Sequence, residues 1–254
     1  MFENFLSLGS LISVTLSVAL TIKALNIKYV NNSSVIKSEV RGDNNNVYVN
    51  YSDYSSKISS FKRLWFCIEV IILILFPAYP DFFIDSLSSF SIYALFICAA
   101  GVYNNISKGV NNGIYSLFYL VGTAVISFLS ISALSMVLAN KYIFTDFYLR
   151  AYETIIGGGY FRGFSQGITS IAGEGAAYFG LSVLFISLIH CCFGFLNKDK
   201  NFDVTFDAIF LWVPASLVGY FFACGGVIAI LNLNFNYIPW LYQNAWYYFL
   251  SYFL

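Results

Sequence analysis

The sequence predicts an all-α polytopic membrane protein with about six transmembrane helices and one cytoplasmic loop that resembles a β-hairpin. The first observation is composition: of 254 residues, 59% are hydrophobic and 10% are charged, and the mean hydropathy is +0.72. A soluble domain of this size cannot bury that much apolar surface, so lipid is the expected solvent. The second observation is that the apolar residues fall in runs of roughly 20, the length that crosses a bilayer as a helix.

Six apolar runs come near that length. In chain order, the predicted spans are residues 1–27, 64–79, 83–103, 114–138, 176–196 and 208–231. The second run is the shortest and contains Pro77 and Pro80 near its end. Because proline removes a backbone donor and breaks a helix, we expect a tight helical hairpin between the second and third spans, turning at Pro80 and Asp81.

The positions of the positive charges predict the orientation. With six spans, ten Lys and Arg residues lie on one side, nine in the loops and Lys23 near the end of the first span, and three lie in the loops on the other side. Since Lys and Arg accumulate on the cytoplasmic side, this bias predicts an exported N-terminus and places residues 28–63 in the cytoplasm. The arrangement is typical of a bacterial inner membrane protein.

The cytoplasmic loop, residues 28–63, is too polar to enter the membrane. Two runs with β-branched and aromatic residues flank a Gly-Asp-Asn sequence, which predicts strand, turn and strand. A single hairpin is marginally stable in water, so an ordered loop is expected to pair with other copies of the chain or with a cytosolic protein. A flexible linker is the alternative. The predicted assembly residues are Gly42, Asp43, Asn44, Val47 and Val49.

The second informative loop, residues 140–175, is expected on the outer side and holds seven glycines between positions 157 and 175. This density predicts either re-entrant structure, tolerated in membranes only where protein or water surrounds it, or an ordinary loop with an interfacial helix over residues 144–156. Four charged residues could form a gate there. They are Arg150, Glu153, Arg162 and Glu174.

The C-terminal segment, residues 237–254, has no charge and is rich in aromatic residues. Such residues favour the boundary between lipid and water. The segment is therefore predicted to be an interfacial or shallowly inserted helix and not a seventh span.

Polar residues inside the spans are the candidates for function, since charge at membrane depth is costly. Hydroxyl residues recur every three or four positions in the first and fourth spans, where they either line a polar pathway or let helices pack closely. Glu69 could pair with a basic or hydroxyl partner on the first helix such as Lys23, bind a cation, carry a proton or reach the interface. His190 is expected to be a packing residue. The positions singled out are Ser10, Ser13, Ser17, Glu69, Ser127, Ser130 and His190.

The sequence argues against an enzyme. It has one histidine, no nucleophile with a supporting base and no metal-ligand spacing, so we predict no catalytic site, no metal and no cofactor. The five cysteines lie inside apolar runs, which is typical of packing residues. A net charge of zero gives no support for nucleic-acid binding.

Three functions fit these features. The first is a homo-oligomeric channel or pore-like protein, based on the hydroxyl stripe, the Gly-rich loop and the self-pairing hairpin. The second is a non-conducting membrane anchor or regulatory subunit that holds a cytosolic partner through residues 28–63, such as a membrane component of a toxin-immunity or phage-defence system. The third is a small secondary transporter, which usually has broken helices at the midplane.

Overall fold

A computed structural model of the chain describes residues 66–107, 113–140, 147–156, 164–194 and 202–254. These residues form helices joined by turns, and they contain no strand. In chain order, the helices are α1 Phe66–Leu75, α2 Pro80–Ser107, α3 Gly113–Asn140, α4 Phe147–Ile156, α5 Phe164–Gly194, α6 Phe202–Ala223, α7 Gly226–Leu231, α8 Tyr237–Gln243 and α9 Ala245–Phe253.

Three of these helices are long and apolar enough to cross a membrane. The apolar stretches are Pro80–Tyr103 in α2, Leu117–Ala139 in α3 and Ser170–Cys192 in α5. Shorter apolar stretches lie in α1 and α6. The prediction of an α-helical membrane protein is thus confirmed. The full set of six spans stays a prediction, and the first span and the hairpin loop lie outside the described residues.

The bundle is built around α3 and α5, which contact each other and most of the remaining helices. Near the start of α3, the Tyr119 hydroxyl donates to the Cys191 carbonyl near the end of α5, 2.5 Å away, so these helices run antiparallel. We call this the His190 end of the bundle. At the opposite end, the first turns of α2 meet the last turns of α3 and the end of α9, and we call this the Asp85 end.

Glycines let α5 and α6 approach closely. A methyl group at Gly180 would lie 2.3 Å from the Ala223 nitrogen and 2.4 Å from the Gly219 carbonyl oxygen. Small residues at such a contact bring backbones together, and van der Waals packing of this kind drives helix association in lipid. This contact fixes the position of α6 beside α5.

The turn between α1 and α2 occupies residues 76–79, and Pro80 is the first residue of α2. Proline suits the first turn of a helix because its missing N–H has no partner there. The Phe76 and Phe83 rings stack across the turn with centroids 5.0 Å apart. The turn thus contains Pro77 and ends just before Pro80, whereas the sequence predicts a turn at Pro80 and Asp81.

The Gly-rich region differs from the predicted outer loop. Helix α5 begins at Phe164, not at Ala176, so the last third of residues 140–175 is helical. Glycine is tolerated in this helix where neighbours leave no room for a side chain: a methyl group at Gly173 would lie 2.4 Å from the Ile228 side chain. The interfacial helix proposed for residues 144–156 corresponds to α4, whose Phe147 ring packs against Tyr178 with centroids 5.3 Å apart.

The predicted sixth span, residues 208–231, is divided into α6 and α7. Between them Gly225 has φ 81°, a left-handed conformation that glycine adopts at little cost and that ends α6. The uninterrupted apolar run conceals this break, because hydropathy does not report backbone conformation.

The C-terminal aromatic segment is neither a full span nor confined to the edge of the bundle. It forms the short helices α8 and α9, separated at Asn244, and α9 packs along α3. Trp246 stacks on Phe128 with centroids 5.9 Å apart, and the Ser132 hydroxyl donates to the Ala245 carbonyl over 2.8 Å. Leu241 is fully buried. One face of the segment, with Leu241 and Ala245, therefore packs against the core, while Trp246 and Tyr247 remain exposed.

Candidate functional site

A carboxylate and an imidazole meet at the His190 end of the bundle. Glu69 lies in α1, and its Oε1 atom is 2.6 Å from Nε2 of His190 near the end of α5. The side chains are 26% and 21% exposed, respectively. The pair is therefore partly buried and still reachable from one side of the described bundle.

Helix α6 completes this site with an aromatic ring. The His190 ring stacks on Trp212, with centroids 4.1 Å apart and an interplanar angle of 16°. His190 lies near the end of α5 and Trp212 lies midway along α6, and the packing of these two helices against each other places the two rings together. Stacking holds the imidazole nearly parallel to the indole ring.

The arrangement can hold or pass on a proton. A neutral imidazole shares a hydrogen bond with the carboxylate, and a protonated imidazole forms an ion pair with it. Both states keep the carboxylate partnered, which lowers the cost of placing it in a membrane protein. The contact between Glu69 Oε1 and His190 Nε2 is thus compatible with a neutral and with a protonated imidazole.

Sequence reasoning singled out both residues but did not join them. They are 121 positions apart, and neither spacing nor periodicity connects two helices at that distance. His190 was expected to pack and Glu69 to find a basic or hydroxyl partner on the first helix. Lys23 lies outside the described residues, so a first-helix partner stays a prediction, and His190 is the partner that the structure places beside Glu69.

The buried hydroxyl groups of α3 mostly bond within the bundle. Ser130 donates to the Ile126 carbonyl over 2.8 Å and Thr123 to the Tyr119 carbonyl over 3.0 Å. Ser127 is buried, and its hydroxyl has no hydrogen-bond partner among the described residues. Hydroxyls bonded to their own helix favour the packing interpretation of this stripe.

A cleft of about 440 Å³ with a mixed polar and apolar lining lies at the Asp85 end, between α2, α3 and α9. Asp85, Ser89 and Ser135 contribute its polar groups, together with residues near the end of α9. Sequence analysis missed this cleft. The available signal was Asp85, a carboxylate inside the predicted third span.

The four predicted gate residues do not all fall in the described structure. Glu174 is buried in α5, with 5% of its surface exposed, while Glu153 is exposed on α4. Arg150 also lies on α4. Other predicted positions lie outside the described residues: Arg162, Ser10, Ser13, Ser17, Gly42, Asp43, Asn44, Val47 and Val49. The gate and the assembly loop therefore stay predictions.

The cysteines do not form a redox or metal site in the described part of the chain. Cys67 is exposed, and the other four are buried as free thiols. Within those same residues, no group of three or more His, Cys, Asp or Glu side chains could hold a metal ion. Comparison of the chain with protein-family models, with curated proteins and with solved structures finds no match.

Proposed function

We propose that the chain is a channel or pore-like membrane protein for protons or small cations, and that Glu69 and His190 form its polar constriction. The observation that carries this proposal is the 2.6 Å contact between the two side chains, with Trp212 stacked on the imidazole. Ionisable residues in membrane helices are costly and mark ion pathways and proton relays. A carboxylate beside an imidazole supplies a cation-attracting charge and a proton carrier at one place.

The partial exposure of the pair supports this role over a purely structural one. A structural ion pair gains most when the surrounding protein excludes water and fixes both groups. Here about a fifth to a quarter of each side chain is exposed, so an ion that approaches this face would meet both groups. The proposal includes assembly into a homo-oligomer in a bacterial inner membrane, with residues 28–63 making contacts between copies.

The test uses purified protein in two assays. Proton flux is measured in liposomes with a pH-sensitive dye, and currents of small cations are measured in planar bilayers. We expect E69Q to lower the flux at least about tenfold, equivalent to about 1.4 kcal/mol in the barrier, because the amide carries no charge. H190F retains an aromatic ring that can stack on Trp212 but lacks both nitrogens, and it should lower the flux similarly.

Asp81→Asn is the matched control, because Asp81 is exposed in the first turn of α2 and is also a carboxylate changed to an amide. Its flux should equal that of the unmodified protein. Equal flux in E69Q, H190F and the unmodified protein would remove the pair from the pathway. No flux above that of protein-free liposomes would refute the channel itself.

A non-conducting anchor is the second candidate function. It is favoured by the bonding of the α3 hydroxyls, since Ser130 and Thr123 bond to their own helix and do not line a wet path. In that case residues 28–63 would hold a cytosolic protein, and E69Q would alter stability without any flux to change. Flux in liposomes therefore decides between the two functions.

A further inference from the structure

The cleft at the Asp85 end has the composition of a ligand site. Its volume of about 440 Å³ lies in the range of small-molecule sites, and its walls come from α2, α3 and α9. On α2, Asp85, Ser89 and Ile92 recur at helical spacing, so they share one face. The cleft is thus lined along one helix by a carboxylate, a hydroxyl and an alkyl group in succession.

Two polar groups in this cleft have no protein partner among the described residues. Asp85 is partly buried and makes no hydrogen bond or ion pair there. Ser89 is only 3% exposed, lines the cleft and also makes no hydrogen bond there. Buried polar groups are normally bonded to protein or to something bound. Both groups are therefore available to a ligand.

The charge of the lining selects a cation. The lining residues include Asp85 and no Lys, Arg or His, so an anion would meet repulsion without compensation. Apolar side chains make up much of the remaining wall, among them Ile84, Leu134 and Leu138. This combination suits a charged group attached to an alkyl body, and the volume exceeds what a bare metal ion would fill.

We propose that this cleft binds a primary alkylammonium group. Its three N–H donors match the Asp85 carboxylate and the hydroxyl oxygens of Ser89 and Ser135. Ser135 already pairs with Ser251 over 2.7 Å, and its oxygen retains acceptor capacity. The alkyl chain lies against Ile84, Leu134 and Leu138. The site does not depend on ion passage at the His190 end, so it stands apart from the proposed function.

The same chemistry occurs in a free amine and in the headgroup of phosphatidylethanolamine. The experiment measures calorimetric binding of butylammonium to the full chain in nanodiscs made of phosphatidylcholine alone. A parallel series adds phosphatidylethanolamine. Loss of butylammonium binding in that series identifies the lipid headgroup as a ligand, and unchanged binding identifies a site for free amines.

Four variants test whether Asp85 and Ser89 bind butylammonium. We expect Asp85→Asn to weaken butylammonium binding roughly ten- to a hundredfold, as for loss of a charged hydrogen bond. Ser89→Ala should weaken it about three- to tenfold by the same reasoning for a neutral hydrogen bond. Asp85→Glu should retain binding within about tenfold, and Asp81→Asn, one turn away and exposed, should bind like the unmodified protein.

Neutral 1-butanol controls for partition into lipid, and its binding should be weaker than that of butylammonium and equal in all variants. The proposal is overturned if the unmodified protein binds 1-butanol as tightly as butylammonium. It is also overturned if Asp85→Asn, shown by size-exclusion chromatography to be folded, binds butylammonium unchanged. Should that variant not fold, unchanged binding by Ser89→Ala would overturn the proposal instead.

Discussion

A methyl group added at Gly180 tests how α5 and α6 are held together. In Gly180→Ala the new carbon would lie 2.3 Å from the Ala223 nitrogen, 2.4 Å from the Gly219 carbonyl oxygen and 2.9 Å from the Ala223 Cα. All three atoms belong to the backbone of α6 or the residues that continue it, so no side-chain rotation relieves the overlap. The helices must separate.

The matched control is Gly122→Ala in α3. There the nearest atom is Cγ2 of Ile209 at 3.0 Å, in a side chain that can shift by a few tenths of an ångström. Both substitutions replace a helical glycine by alanine and share the same gain in helix propensity, about 1 kcal/mol. The difference between the two variants therefore isolates the overlap with the backbone. Overpacking of this kind typically costs about 1–3 kcal/mol.

The assay is reversible unfolding of the purified variants in mixed micelles, followed by circular dichroism as the fraction of denaturing detergent rises. We expect Gly180→Ala to be less stable than Gly122→Ala by about 1–3 kcal/mol. If the two variants unfold at the same detergent fraction, α5 and α6 are not packed through these glycines, and the reasoning that positions His190 beside Trp212 fails with it.

Two further predictions concern accessibility. In nanodiscs, a maleimide should label Cys67 and leave Cys98, Cys191, Cys192 and Cys224 unmodified, because only Cys67 among them is exposed; mass spectrometry of the digested protein reports the sites. The charge bias further predicts that, in intact cells of a strain carrying Cys67→Ser, Ser55→Cys resists a membrane-impermeant thiol reagent while Ser165→Cys reacts. The reverse pattern would invert the topology.

The class of the protein could be predicted from sequence because hydropathy and run length are local properties that a bilayer selects directly. The proline pair likewise marks the turn before α2, since proline acts through its own backbone. By contrast, the role of a glycine depends on what faces it. Gly173 looks like a loop residue in sequence, yet it lies within α5, and the close Ile228 side chain accounts for a glycine at this helical position.

The polar sites could be predicted only in part, because each depends on helices that are distant in sequence. Glu69 was recognised as costly at its depth, but its partner His190 follows from the way α1 and α5 are packed. The Asp85 cleft needs the end of α9 as its third wall, and the aromatic composition of that segment suggested the interface instead. Amino-acid composition indicates which environment a segment favours, such as lipid, water or the interface between them. It does not indicate which helix the segment contacts.

The position of the two polar sites bears on how an ion could cross. On α2, Asp85 and Cys98 are separated by about 20 Å, and Cys98 contacts the Cys191 carbonyl next to His190. Between these levels α5 contributes Leu181, Leu184 and Leu188, all fully buried. An ion stripped of water in such a layer would face a cost of tens of kcal/mol. Among the described residues, the space between α3 and α5 is therefore closed in this conformation, and conduction through these helices would require either separation of α3 from α5 or a path between copies of the chain. The second route needs no rearrangement of the core, and it would use the side of Glu69 and His190 that the described bundle leaves open. For that reason, a homo-oligomeric pore accounts for the partly exposed pair more simply than a pore through one chain.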